Sequence, residues 1–203
     1  MLRIVLTAAA GAAVGPLLHR CIAGYARPPA AVLVTAAAAA AFGLLAYRLP
    51  AGPALAAFCW VAALGVVLGF VDAATHRLPD RLTMAAFAGA LPLLGVQALH
   101  GDRLAAFGTA VLSGLALSGF YATLVLMNPA GMGPGDAKLA LSLGTVLGWL
   151  GGPVVLLGAL AGLVLAAGYA LVLLTARRIS RDERLAHGPF MLVGALLAVV
   201  LTG

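Results

Sequence analysis

The stretch AAVLVTAAAAAAFGLLAY, residues 30–47, decides the fold: it carries no charge, its hydroxyls are confined to Thr35 and the terminal Tyr47, and it is apolar on every face. A strand of an outer-membrane barrel alternates apolar and polar residues, so this run excludes that architecture and predicts a helix that crosses a membrane. The residues around it share its character. Of 203 residues, 64% are hydrophobic and only 9% charged, and mean hydropathy is +1.12. A soluble domain carries about a quarter charged residues, so the composition excludes one.

A span of roughly 20 residues plus roughly 5 for each turn lets a chain of 203 residues cross about eight times. Apolar runs lie at 2–18, 30–47, 54–71, 82–99, 104–127, 139–150, 154–176 and 189–202. The fold expected is an all-α, polytopic membrane bundle of about eight transmembrane helices, with residues 1–203 forming a single integral-membrane domain. The sixth run has 12 residues and the last 14, so each is short, tilted or extended into its flanks. Met1-Leu2-Arg3 and the small apolar residues after it also have the outline of a signal peptide; its removal would leave the later spans in the same orientation, and the segment is read as the first span. Gly11 and Gly15, Gly144 and Gly148, and Gly158 and Gly162 have the spacing that lets helix backbones approach closely, although a plain excess of Ala and Gly would give it too.

The net charge of +6 comes from 12 Arg and Lys against 6 Asp and Glu. The basic residues sit singly in turns or in one cluster, Arg177, Arg178, Arg181 and Arg184, which suits lipid headgroups and gives no groove for nucleic acid. Sorted by alternate loops, Arg3, Arg48 and Arg103 fall on one side, and Arg20, Arg27, Arg77, Arg81, Lys138 and the four-arginine cluster on the other. The positive-inside rule puts the second group in the cytoplasm and both termini outside. The two cysteines, Cys21 and Cys59, supply neither a disulfide framework nor a four-ligand zinc site. His19, His76 and His187 would share the cytoplasmic face, but their spacing does not bring them together, so no metal and no cofactor is expected.

Acid–base chemistry has six carboxylates to draw on. Asp182 and Glu183 lie among arginines, Asp102 sits in a tight turn, and Asp80, after Pro79, suits the N-cap of the next helix. Asp72 instead continues the apolar run LGVVLGFV, and Asp136 opens the sixth span behind Gly131-Met132-Gly133-Pro134-Gly135. Both fall at the same depth by the loop tally, and boundary carboxylates at one level are functional candidates. Two converging carboxylates suit aspartyl proteolysis: like charges in contact cannot both ionise, so the pair holds one proton, activates water and polarises a carbonyl. Gly133 and Gly135, without side chains, permit unusual backbone angles and let a strand lie close to the acid, while Pro134 biases Gly133 toward an extended form and prolongs the break before the helix.

The segment Met132-Gly133-Pro134-Gly135-Asp136-Ala137-Lys138-Leu139 resembles the GxGDxKL signature of the GxGD membrane aspartyl proteases, and in particular of the type IV prepilin peptidases. The block from Asp72 through Leu78-Pro79-Asp80 to Leu82-Thr83 and the segment Gly188-Pro189-Phe190 resemble two further blocks of that family, in the same order. The resemblance implies that Asp72 and Asp136 are the catalytic pair, with Gly133 and Gly135 as active-site backbone. It also implies a substrate: a prepilin or pseudopilin with a short basic leader, a small residue before the cut and a hydrophobic helix after it. That helix could pack against the enzyme within the bilayer, with cleavage at the cytoplasmic face of a bacterial inner membrane. Longer members carry a Cys-x-x-Cys insert between the first two spans; here that loop is short and lacks cysteine pairs, so the resemblance implies a peptidase without the accompanying N-methyltransferase activity. Two other readings stay open: a small proton-coupled transporter, with Lys138 or Arg77 as counter-ion to the two acids, and a non-catalytic secretion-system membrane subunit. The residues leave the oligomeric state undetermined.

Overall fold

The computed structural model describes residues 1–129, 131–177 and 185–202. Among these the chain is all helix: α1 (Leu2–Ala23), α2 (Ala31–Arg48), α3 (Pro53–Thr75), α4 (Asp80–His100), α5 (Leu104–Met127), α6 (Pro134–Leu150), α7 (Gly152–Thr175) and α8 (Gly188–Thr202). Six of them, α1 to α5 and α7, are long and apolar enough to cross a membrane, and α8 is a shorter apolar helix. The chain is thus a multi-pass membrane bundle, with eight helices among the described residues. Arg178, Arg181, Arg184, Asp182 and Glu183, read above as a charged loop, lie outside the described residues.

Consecutive helices pack against each other as the hairpins α1/α2, α3/α4, α5/α6 and α7/α8. The hairpins assemble because α3 and α6 each touch five other helices. Nearly every face of α6 is buried, and α3 is the most enclosed of the long spans. These two helices therefore form the centre, and α1, α5 and α7 lie outermost with most of their surface turned toward lipid. The spaced glycines sit at the crossings. A Cβ at Gly11 would fall 2.6 Å from the Ala38 carbonyl oxygen of α2, one at Gly144 would fall 2.8 Å from the Ser113 carbonyl oxygen of α5, and one at Gly158 would fall 2.7 Å from Leu147 Cδ1 of α6. At Gly11 and Gly144 the neighbouring atom is backbone, so close backbone approach is their physical use, while Gly158 makes room for a side chain.

Two boundaries differ from the sequence expectation, and both bear on the acids. The helix of α6 starts at Pro134 and not at Leu139. Pro134 occupies its first position, where a missing N–H needs no acceptor, so Gly-Pro-Gly-Asp forms the opening turn of a helix and does not prolong a break before one. The helix of α3 runs on to Thr75, which places Asp72 inside its last turn.

Candidate active site

Each acid is fixed by the end of a helix. The Asp72 carboxylate, 4% exposed, accepts the Gly188 backbone N–H at 2.9 Å through Oδ2. That N–H is one of the free donors at the start of α8, where the helix dipole favours an anion. On the chain side, the left-handed turn at His76 (φ 53°) stops α3 just beyond the acid. Asp136, 6% exposed, stands at the third position of α6, and its Oδ2 accepts the Gly133 backbone N–H at 3.0 Å.

The two carboxylates line one cavity of about 250 Å³ at one end of the bundle. Its wall includes Gly133, Gly135 and the His76-Arg77-Leu78 turn, with His187 at the entry to α8. Leu78 is the wedge that shapes it: a Cβ at Gly135 would lie 2.7 Å from Leu78 Cβ, and a Cβ at Gly188 would lie 3.3 Å from Leu78 Cδ2. Gly133 has φ −97°, an ordinary extended angle, so the glycine at 135 is required for room beside Leu78 and no unusual backbone angle is involved at 133. Two hydroxyls tie this end together, Ser118 Oγ donating to the Ala137 carbonyl at 2.8 Å and Ser142 Oγ to the Thr83 carbonyl at 3.3 Å.

Asp80 departs from the N-cap role expected of it. Pro79 is the capping residue, and the Asp80 side chain makes no cap hydrogen bond. It meets Lys138 Nζ at 2.7 Å, with both side chains substantially exposed. The pull of a cation on α6 explains the difference, and Lys138 is thereby engaged at the rim of the cavity. Asp102 is a turn residue, as the sequence suggested, and its backbone is left-handed, φ 49°. Among the described residues no three His, Cys, Asp or Glu side chains gather into a metal-sized cluster.

Sequence reasoning missed Leu78, Tyr121 and a site role for His187. Tyr121 is buried on α5, its ring 5.7 Å from that of His187. Burial pushes the His187 imidazole below its ordinary value, which favours the neutral ring. The available signal was positional: a histidine directly before Gly-Pro-Phe and a phenol within a membrane span.

A polytopic helical membrane protein with two buried carboxylates facing one cavity is the class that this geometry defines. Residues 55–201 match the type IV leader peptidase family. The relatives include proteins named prepilin leader peptidase/N-methyltransferase from Burkholderia pseudomallei, 37% identical over 153 residues that cover 71% of this chain and 46% of the relative, and from Aeromonas salmonicida, 35% identical over 156 residues covering 74% and 50%. One of the same name from Legionella pneumophila is 32% identical over 140 residues, 66% of this chain and 46% of the relative. The chain belongs to the type IV leader peptidase family, an aspartic-type peptidase family, and it spans about half the length of these curated relatives. No solved structure matches it.

Proposed function

We propose that this chain is a membrane aspartyl endopeptidase that removes the basic leader of a prepilin or pseudopilin, with Asp72 and Asp136 as its catalytic pair. The observation that carries the reading is the meeting of two buried acids, one from each central helix, at a single cavity of about 250 Å³. The pair shares one proton. The ionised carboxylate takes a proton from water as the water oxygen adds to the scissile carbonyl carbon, and the protonated carboxyl gives its proton to the carbonyl oxygen. Collapse of the resulting diol breaks the C–N bond. The departing nitrogen takes up a proton and becomes the new amino terminus, the leader leaves with a carboxyl terminus, and the pair is returned to one shared proton.

Gly133 and Gly135 supply the uncluttered backbone against which the leader junction would lie. The hydrophobic helix after the junction has a path as well. An apolar groove of about 340 Å³ between α2, α3 and α8 is floored by small residues such as Ala37, Gly65 and Gly69 and reaches Ala73 and Pro189, the neighbours of Asp72 and Gly188. The other large apolar groove, between α5 and α7, borders Gly152 and Pro153 at the opposite end of the bundle from the acids. Residues 1–203 act as one peptidase unit, since all eight helices close around α3 and α6. With two cysteines in the chain and no paired motif between α1 and α2, the reading is leader peptidase without N-methyltransferase activity. The site faces the cytoplasm of a bacterial inner membrane, the side to which the basic loops point.

The test is cleavage of a prepilin with a Gly-ended basic leader by Asp72→Asn and Asp136→Asn variants. Each is expected to abolish product, while Asp102→Asn keeps it. Turnover persisting in either of the first two, with normal membrane insertion, would remove the dyad.

A further inference from the structure

We infer that His187 is a substrate-binding residue, its Nε2 making a hydrogen bond to the main chain of the polypeptide beside the two carboxylates. The inference rests on the peptidase reading above.

His187 is 8% exposed, and its Nε2 is enclosed without a hydrogen-bond partner. Buried polar atoms in folded proteins are almost always paired, so an orphan in a cavity wall points to a partner that arrives with the ligand. Among the described residues one other buried side-chain nitrogen shares this condition, Arg48 Nε. Arg48 stands at the opposite end of the bundle with its guanidinium over the Tyr47 ring, 5.7 Å from the centroid, and has further donors to use. His187 has no such outlet, and it lines the cavity that holds both acids.

The imidazole is also locked in position relative to them. The N–H of the next residue, Gly188, holds Asp72 Oδ2. The ring itself packs on Tyr121 of α5, tilted by 46°. Thus His187 is tied through the backbone to Asp72 and held against α5 through its ring. Two polar groups around the cavity have partners of their own, Asp80 with Lys138 and Asp72 with Gly188. A neutral imidazole carries one donor and one acceptor nitrogen, so Nε2 can pair with a peptide N–H or a peptide carbonyl according to tautomer.

The experiment uses the whole chain in proteoliposomes with the same prepilin, comparing His187→Phe, which keeps an aromatic ring on Tyr121, with His187→Gln, which keeps hydrogen-bonding capacity. KM and kcat are measured for each, along with affinity for uncleaved prepilin in an Asp136→Asn background. His187→Phe is expected to raise KM about tenfold with little change in kcat and to weaken binding by the same factor, as loss of one buried hydrogen bond implies. His187→Gln should stay within about threefold of the parent. If the Phe variant does not reach the membrane, His187→Met carries the same comparison. A parent-like KM in the Phe or Met variant, or equal losses in those and the Gln variant, overturns the binding role and leaves the peptidase reading standing. Absence of cleavage by the parent removes both.

Discussion

Asp72 Oδ2 and the Gly188 backbone nitrogen are 2.9 Å apart, and a Cβ at position 188 would fall 2.9 Å from that same oxygen. One atom of the acid is thus held by a residue that must lack a side chain. The contact joins the end of α3 to the start of α8, and it explains in physical terms why a Gly-Pro-Phe segment far along the chain belongs to the same site as Asp72.

Gly188→Ala therefore cannot be accommodated without moving the carboxylate. Loss of one hydrogen bond to a charged group is worth about 1.5–3 kcal/mol, or roughly 10- to 100-fold in rate. Leader cleavage by Gly188→Ala is expected to fall by that factor while the protein still inserts in the membrane. A parent-like rate would show that Asp72 does not depend on this anchor.

Gly135 meets a different obstacle. The atom that a methyl group would strike is Leu78 Cβ, at 2.7 Å. Leu78→Ala leaves that atom in place, so Gly135→Ala should stay impaired in the Leu78→Ala background and recover in part with Leu78→Gly. The expected cost of the single change is about 1–3 kcal/mol of overpacking, read as a lower Tm in detergent together with slower cleavage. Rescue by Leu78→Ala would show that the wedge is not what makes position 135 a glycine.

The two acids were legible because charges are scarce in such a chain and both interrupt apolar runs. Other features were not, for reasons that lie in long-range packing. Mean apolarity does not rank burial in a bilayer, where the lipid-facing α7 and the enclosed α3 are similarly apolar. The central place of α6 was hidden further by its polar first turn, which made the span look short. Asp80 carries a sound local signal for an N-cap, yet Lys138 on another helix takes its side chain. Leu78, His187 and Tyr121 each look like ordinary residues of a turn or span until three helix ends are brought together around them.

The Asp80–Lys138 pair spans two helices but sits in solvent, with side-chain exposures of 67% and 38%. Exposed pairs contribute about 0–1 kcal/mol after screening. Asp80→Asn and Lys138→Gln are each expected to leave cleavage within about fivefold of the parent and Tm nearly unchanged. Complete loss of cleavage in Asp80→Asn would move that residue into the catalytic pair in place of Asp72.

A pH dependence follows from His187. Its folded-state value is depressed below the ordinary 6.5 by burial, so below that pH the unfolded chain binds the proton more readily than the folded one. The stability associated with the neutral ring is fully present above about 6.5 and is lost as pH falls toward the depressed value. His76, Arg77, Asp72, Asp80 and Asp136 line the same cavity, and Tyr121 packs on the ring, so the comparison must isolate one group. Between about pH 7 and pH 5 the Tm of the parent should drop more steeply than that of His187→Gln, which has nothing to titrate at this position. Parallel curves would show that the imidazole is not held neutral.

Topology is tested independently of chemistry. The Asp80–Lys138 bridge at 2.7 Å and the Asp72–Gly188 hydrogen bond put the α3/α4 turn, the α5/α6 turn and the start of α8 at one end of the bundle. Reporter fusions after Arg77 and after Asn128 must therefore agree with each other, and fusions after Asp102 and after Gly151 must give the opposite result. The basic residues supply the sign: Arg20, Arg27, Arg77, Arg81, Lys138 and Arg177 belong to the first end, against Arg3, Arg48 and Arg103 at the other, so the first pair is expected to report cytoplasm. Disagreement within the first pair would separate the two acids by the ~30 Å core of the bilayer and end the idea of a shared site. Agreement with every sign reversed would keep the fold and the dyad but turn the site outward, away from a leader cut at the cytoplasmic face.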